Sequence, residues 1–286
     1  MNYDYRIVNK KVWLETEYPL INNWESELFE GKFQEQLVDF KCQIFGVANL
    51  PEAKGKLILQ TDDRMLYLHK DMLYQKIINR KNKQPIFLAE YAVNDSSDVR
   101  VWSWDREYPY TARMEHIWAA MDLPYQLLKE KILVMHSAVV KVNGEAVLFI
   151  APSGIGKSTQ ARLWNETRGA EQLNGDKTAI CIEDGQVFTY GLPFSGTSKI
   201  CSNYKLPVRA IVILSQGSEN RVESLSGIKA ISAMIKNCFG HTEVPGCVPH
   251  ILDILGRVVP CVSMYSLACT PDERAVEALE KVLWKR

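Results

Sequence analysis

The sequence has no excess of charge of either sign, since 34 Lys and Arg stand against 34 Asp and Glu. That balance removes any bulk electrostatic pull toward nucleic acid or an anionic membrane. One stretch, Lys76-Ile77-Ile78-Asn79-Arg80-Lys81-Asn82-Lys83, is locally basic but reads better as a solvated loop between strands than as a binding patch. No uninterrupted apolar run reaches the roughly 18–20 residues that a membrane-crossing helix needs. Neither a nucleic-acid nor a membrane partner is therefore expected. The 7 cysteines are odd in number and include no C-x-x-C pair. Several lie in apolar surroundings, as in Ala179-Ile180-Cys181-Ile182 and Pro260-Cys261-Val262. Reduced, buried thiols are expected rather than a disulfide framework. Met1-Asn2-Tyr3-Asp4-Tyr5 lacks the charged-then-apolar pattern of a secretory signal, so a cytoplasmic location is expected. There is no internal repeat and no low-complexity segment. His241 and His250 are not spaced with Cys or Asp as zinc ligands are, and no zinc cage is assigned to them.

What is present suits an ordinary globular chain of 286 residues, with 47% hydrophobic and 24% charged residues, enough for one large domain or two modest ones. The first part reads as strands: Lys56–Gln60, Arg64–Leu68 and Val99–Trp104 are apolar and β-forming. Thr61-Asp62-Asp63 and Asn94-Asp95-Ser96-Ser97-Asp98 supply turn chemistry between them. From Thr111 to Lys131 most apolar residues (Met114, Ile117, Trp118, Met121, Leu123, Leu127 and Leu128) recur at helical spacing, with Pro124 splitting the stretch into two short helices. A boundary in this region, between 110 and 131, gives a β-rich domain over 1–120 and a second domain over 121–286.

The second domain carries the chemistry. Ser137–Val142 and Ala146–Ile150 read as strands joined by Asn143-Gly144, the strongest short hairpin signal. The loop Ala151-Pro152-Ser153-Gly154-Ile155-Gly156-Lys157-Ser158 follows at once, and helical character begins at Ser158. It matches the phosphate-binding pattern G-x-x-x-x-G-K-[ST], except that Ala151 replaces the leading glycine. Gly154 and Gly156 let the backbone turn so that its N–H groups can face phosphate oxygens. The helix adds the positive end of its dipole. Lys157 offers a cation to the β- and γ-phosphates, and the Ser158 hydroxyl can ligate Mg²⁺. The expected nucleotide contacts are Ser153, Gly154, Ile155, Gly156, Lys157, Ser158 and Thr159, with ATP and Mg²⁺ as cofactors.

Such a site needs a carboxylate near the metal. Asp176, between Gln172-Leu173-Asn174-Gly175 and the strand-like Thr178–Ile182, is favoured over a plain turn role and is paired with Ser158 as the metal set. Glu183-Asp184-Gly185 is explained as a hairpin turn.

Met135-His136 ahead of a strand and hairpin, then Pro152–Ser158, then Arg168-Gly169 and an acidic site, resemble the HPr kinase/phosphorylase family. That family shares its nucleotide-binding fold with phosphoenolpyruvate carboxykinases. Its hallmarks run Met-His-Gly, Gly-x-Ser-Gly-x-Gly-Lys-Ser, Arg-Gly-His and an Asp-Asp pair. The likeness covers about residues 131 to 215. Asn174-Gly175-Asp176-Lys177, Tyr190–Phe194 and Leu206–Leu214 are similar to a divergent branch of kinase-like proteins. Some members of it accompany modified-peptide, including lasso-peptide, gene clusters and phosphorylate a peptide serine. The resemblance implies an α/β fold in which a P-loop-containing, HPr kinase/phosphoenolpyruvate carboxykinase-like C-terminal domain follows a smaller β-rich N-terminal domain. It implies an ATP- and Mg²⁺-dependent kinase, and members of that family often assemble, which leaves a homo-oligomer open.

The sequence departs from the family at three points. Ser137 follows His136 where the family has glycine, Ala170 follows Arg168-Gly169 where it has histidine, and Gly175 stands opposite the first aspartate of the pair. The metal-binding aspartate would be kept as Asp176 and the general base lost. Three assignments stay open for the base: His136 accepts the hydroxyl proton, His136 only orients nearby backbone, or Asp176 takes both roles. The expected catalytic residues are His136, Lys157 and Asp176.

Elsewhere, Tyr190–Lys199 reads as a small-residue loop, more a surface loop than one that brings Ser198 or Lys199 to phosphates. Arg209, near the start of the strand Val208–Leu214, reads as a structural ion pair rather than a γ-phosphate sensor. Val222–Ile235 and Asp272–Lys285 read as helices, the second opened by Thr270-Pro271-Asp272-Glu273 as a capping box with proline first. The function expected is transfer of the γ-phosphoryl group to a hydroxyl, foremost a serine of a peptide or protein. A small-molecule hydroxyl kinase and a non-catalytic nucleotide-binding regulatory module are the alternatives.

Overall fold

A computed structural model describes residues 1–33, 37–95 and 97–284. Ser96 and Lys285, which belong to two of the segments read above, lie outside the described residues. The protein is a mixed α/β chain with two eight-stranded sheets and a few helices. Its residues cluster into two units, one made of Met1–Glu130 with His241–Cys247 and the other of Lys131–Gly240 with Val248–Arg286.

The first unit is built on one sheet. Its strands are β1 (Asn2–Ile7), β2 (Lys10–Thr16), β3 (Phe40–Val47), β4 (Lys56–Gln60), β5 (Arg64–His69), β6 (Met72–Ile78), β7 (Pro85–Ala92) and β8 (Asp98–Trp104), in the order β1-β2-β3-β8-β7-β6-β5-β4. The basic stretch beginning at Lys76 is therefore half strand, because Lys76, Ile77 and Ile78 end β6 and pair with β7. Alternation along β8 buries Val99, Val101 and Ser103, whereas β7 is buried on both faces from Ile86 to Ala89. A short helix α1 (Trp24–Glu27) and the helices α2 (Met114–Ala120) and α3 (Leu123–Lys129) complete this unit. Asp122 divides α2 from α3, with a left-handed φ of 55°, and Pro124 lies in the first turn of α3, where its missing N–H costs nothing.

The second unit has strands β9 (Leu133–Val142), β10 (Glu145–Ile150), β11 (Glu171–Asn174), β12 (Lys177–Glu183), β13 (Gln186–Tyr190), β14 (Lys205–Gln216), β15 (Arg221–Leu225) and β16 (Ser263–Cys269), and helices α4 (Lys157–Arg168), α5 (Gly227–Ile235), α6 (Cys247–Val258, all but its first residue) and α7 (Glu273–Leu283). Asn143 (φ 52°) with Gly144 (φ 81°), and Asp184 (φ 48°) with Gly185 (φ 80°), make the β9–β10 and β12–β13 turns, the positive-φ pairs that tight hairpins need. Strand β14 runs parallel to both β10 and β16. The β10 end, α4 and α7 enclose a core of Val147, Phe149, Ala161, Trp164, Val212, Leu267, Val276 and Leu279.

Further readings from the sequence change. Val222–Leu225 is strand, not helix: β15 pairs antiparallel with β16, and the helix begins only at Gly227. Among the described residues Arg209 makes no ion pair; its guanidinium donates to the Leu283 carbonyl at the end of α7, where a cation suits the negative end of the dipole. The cap of α7 is Asp272, whose Oδ1 accepts from Arg274 N at 3.0 Å, so Thr270 and Pro271 precede the helix. None of the seven cysteines is in a disulfide, and Cys261, expected to be buried, is exposed. No helix among the described residues is long and apolar enough to cross a membrane.

Candidate functional site

The site is laid out by strand register. Ile150, the last residue of β10, stands opposite Ser137 of β9. On the other edge of β9, Asn174 pairs with Val139 and Lys177 with His136. That register continues through the bend at Gly175 and Asp176, so Asp176 falls opposite Ser137, whose N–H donates to Asp176 O at 3.0 Å. Ile150, Ser137 and Asp176 thus form one row across three strands. At two strand spacings, the start of the loop after Ile150 lies roughly 10 Å from Asp176.

The loop is a tight strand-to-helix connection. Gly154 (φ 81°) and Gly156 (φ 121°) adopt backbone conformations that a side chain would strain. A Cβ on either would meet nothing within 4 Å, so the backbone of the loop faces open space. Ser153 and Gly154 are exposed, Ile155 and Gly156 half-buried, and Ser158 and Thr159 lie in the first turn of α4, Ser158 exposed and Thr159 half-buried. Trp164 and Ala161 anchor α4 in the core. Gly169 closes the helix in the left-handed region, and Arg168 ties it to α7 through Glu273 (2.9 Å) and Glu280 (2.8 Å). The Arg168-Gly169 pair thus has a structural role.

Lys157 is buried beneath the loop and donates to Ala151 O at 2.7 Å and Pro152 O at 3.2 Å. Burial lowers its pKa, against an opposing pull from the Asp176 carboxylate, which puts the two side chains within electrostatic reach of each other.

Asp176 is shaped by its neighbours. Asn174 Oδ1 accepts from the N–H groups of Asp176 (2.8 Å) and Lys177 (3.0 Å), a side-chain turn that swings the chain out between β11 and β12. Burial alone would raise the Asp176 carboxyl, but hydrogen bonds from His136 and Lys177 and the Lys177 charge outweigh it and hold it at about 2. The carboxylate is ionised throughout the neutral range.

His136 Nδ1 lies 2.9 Å from the main-chain oxygen of Asp176 and 3.4 Å from its Oδ1. A carbonyl oxygen can only accept, so Nδ1 carries the proton. In the neutral ring Nε2 then keeps its lone pair.

Several contributors escaped the sequence reading. Lys177 bonds the Asp176 carboxylate and lies over the rings of Phe194 (5.0 Å) and Phe239 (5.3 Å). The loop after β13 packs on this corner: a Cβ at Gly196 would sit 2.6 Å from Asp176 Cβ, and a Cβ at Gly175 would sit 2.2 Å from Ser198 Oγ. Ser198 therefore fills the place of a side chain at 175, so this loop approaches the corner rather than being only the surface loop favoured from the sequence. Only the Asn-Gly-Asp-Lys turn was a visible signal.

Beside the loop, outside the C-terminal ends of the parallel strands β14 and β16, lies a pocket of about 340 Å³. Gly154, Gly156, Thr159 and Gln160 line one side, Gly217 and Cys269 the other. Gln160 is buried; its Nε2 donates to Cys269 Sγ at 3.4 Å and its amide oxygen has no partner among the described residues.

The chain is similar to the family described as SynChlorMet cassette protein ScmC, whose model matches residues 109–244, just under half of the sequence. No curated protein matches. Among solved structures it is weakly similar to the HPr(Ser) kinase/phosphatase from Coxiella burnetii, at 10% identity over 52% of this chain and 94% of that one, with a TM-score of 0.32.

Proposed function

We propose that the second unit is a phosphotransferase that uses ATP and Mg²⁺ to phosphorylate a hydroxyl, foremost a serine of a peptide or protein. The observation that carries this reading is the row Ile150–Ser137–Asp176. It sets a glycine-bearing, cation-containing loop at a helix start two strands from the ionised Asp176, whose main-chain oxygen accepts the Nδ1 proton of His136. The gap suits a polyphosphate with its metal.

The donor set fits the metal. Asp176 and the exposed Ser158 hydroxyl are hard oxygen donors, and Mg²⁺ takes few protein ligands, completing its shell with phosphate and water. Bound there, it would neutralise charge on the phosphates. Among the described residues no group of three or more His, Cys, Asp or Glu forms a protein-only cage. The open backbone above Gly154 and Gly156 fits phosphate oxygens, Lys157 supplies a cation, and the pocket beside Gln160 and Cys269 suits the nucleoside. As the acceptor oxygen bonds to the γ-phosphorus and the bond to the departing ADP breaks, the acceptor proton passes to His136 Nε2. Placement and charge neutralisation carry most of the catalysis.

One observation favours a second reading, a nucleotide-binding regulatory module without transfer: Gly175 brings no carboxylate to the corner, and Ser198 occupies its space. Calorimetric titration of the full chain with MgATP tests the site common to both. Saturable binding that Lys157→Ala weakens is expected; binding that is absent, or indifferent to that substitution, removes both readings.

A further inference from the structure

A second cavity, of about 320 Å³, lies wholly within the first unit. Its lining is Tyr18 from the segment after β2, Ser103 near the end of β8, and Asp105, Tyr108 and Thr111 from the turn that follows. Nothing in the nucleotide reading uses it. Its volume falls in the range of small-ligand sites.

Two features mark it as a built site. Thr111 is only 1% exposed, yet its Oγ1 has no hydrogen-bond partner among the described residues, and the buried Tyr18 hydroxyl lies beside that of Ser103, which also lines the cavity. A buried hydroxyl left unsatisfied is costly, so Thr111 at the wall of this cavity calls for a ligand that bonds it. The second feature is Gly46 of β3. A Cβ there would come within 2.7 Å of Asp105 Oδ1 and 3.4 Å of the Tyr18 ring, so the glycine makes room for both lining side chains.

The chemistry of the lining selects the ligand. Asp105 is exposed at the rim and has no ion-pair partner among the described residues. The rings of Tyr18 and Tyr108 meet edge to face with centroids 6.1 Å apart, which offers π-electron density to a cation. Burial pushes the Tyr18 hydroxyl up to about 12, so it remains a neutral phenol that accepts as well as donates. We infer that this cavity binds the primary ammonium group of a peptide's lysine side chain, with Asp105 supplying the counter-charge, the tyrosine rings the walls and the hydroxyls of Thr111 and Tyr18 the acceptors for its three N–H donors.

The test is NMR titration of the full chain with four probes: a short lysine-containing peptide blocked at both ends, its acetyl-lysine and norleucine counterparts, and free cadaverine. Shifts confined to residues around Ser103, Tyr108 and Thr111 are expected to saturate with the lysine peptide and not with its two neutral counterparts. Asp105→Asn, a change at an exposed position, is expected to weaken binding at least tenfold, and Thr111→Val to weaken it with the melting temperature checked in parallel. Cadaverine binding more weakly than the peptide supports a peptide source. Cadaverine binding as tightly as the peptide contradicts that part and assigns the site to free amines. Equal binding of lysine and norleucine peptides, no saturable binding by any probe, or binding unchanged in Asp105→Asn overturns the proposal.

Discussion

His136 is joined to Asp176 through the backbone, its Nδ1 proton resting on the Asp176 carbonyl oxygen at 2.9 Å. The bond sets the ring tautomer, so the nitrogen left with a lone pair is Nε2. If that nitrogen takes the acceptor's proton, His136→Ala lowers transfer by about 10²–10⁴-fold while MgATP affinity stays within a few-fold, because general-base catalysis acts in the transition state. Steady-state transfer rates beside calorimetry check this, and long-range ¹⁵N NMR should show Nδ1 protonated in the neutral ring.

Lys157 and Asp176 separate binding from transfer. Lys157→Ala removes a charged donor to the phosphates and is expected to weaken MgATP by about 1.5–3 kcal/mol, roughly ten- to a hundredfold in Kd. Asp176→Asn keeps shape and loses charge, so much of the binding survives and transfer does not. Unchanged transfer in that variant removes Asp176 from the metal set.

The carboxyl of Asp176 itself reports its surroundings. It is held at about 2 despite burial, by bonds from His136 and Lys177 and by the Lys177 charge. Lys177→Met should raise it toward the ordinary value near 3.9, as read from the carboxyl carbon shift in a pH titration. A depressed folded-state pKa contributes stability that is present above the unfolded value and lost as pH falls through the folded one. Acid unfolding should therefore begin at higher pH in the native protein than in Asp176→Asn, relative to each one's neutral stability.

Gly175 and Ser198 are expected to be coupled. Gly175→Ala drives a Cβ into Ser198 Oγ and should destabilise the protein, Ser198→Gly should relieve much of that loss, and their interaction energy should fall within about 0.5–3 kcal/mol in denaturant unfolding.

In the first unit, the buried Asp122 carboxylate bonds His241 and the Tyr91 hydroxyl, at 2.9 Å from the latter. Burial would raise it, but the charges of His241 and Arg64 and these hydrogen bonds hold it well below the usual carboxylate range. His241→Ala leaves that charge with only Arg64 and the Tyr91 hydroxyl and should cost about 1–3 kcal/mol by calorimetric or denaturant unfolding. In Asp122→Asn the loss of stability below about pH 4 should be smaller than in the native protein.

The parts legible in the sequence were those written locally. Asn143-Gly144 and Asp184-Gly185 specify their turns by needing positive φ, and the glycines after Ala151 announce a strand-to-helix connection. Pairing across long sequence distances was not legible. Val222–Leu225 has apolar residues at spacings a helix also tolerates, and only the open edge of β16 makes it a strand. Arg209 finds its carbonyl partner 74 residues away, at the end of a helix whose packing decides the contact. At the site, Gly154, Gly156, Lys157 and Asp176 stood out, whereas Lys177, Ser198 and the pocket beside Gln160 depend on how the β13–β14 loop and the ends of β14 and β16 return to it. The 241–247 segment shows the same limit, since nothing local tells that it groups with residues 1–130.

The most direct test of the phosphotransferase reading is ³¹P NMR of the full chain with MgATP and a panel of serine-containing peptides and small hydroxyl compounds, run beside Asp176→Asn. A new phosphoester resonance that grows with ADP, requires the acceptor and vanishes in Asp176→Asn is the expected result, and the acceptor that gives it names the substrate class. MgATP bound tightly with no phosphoester formed across the panel would contradict transfer and leave the regulatory module as the function of this site.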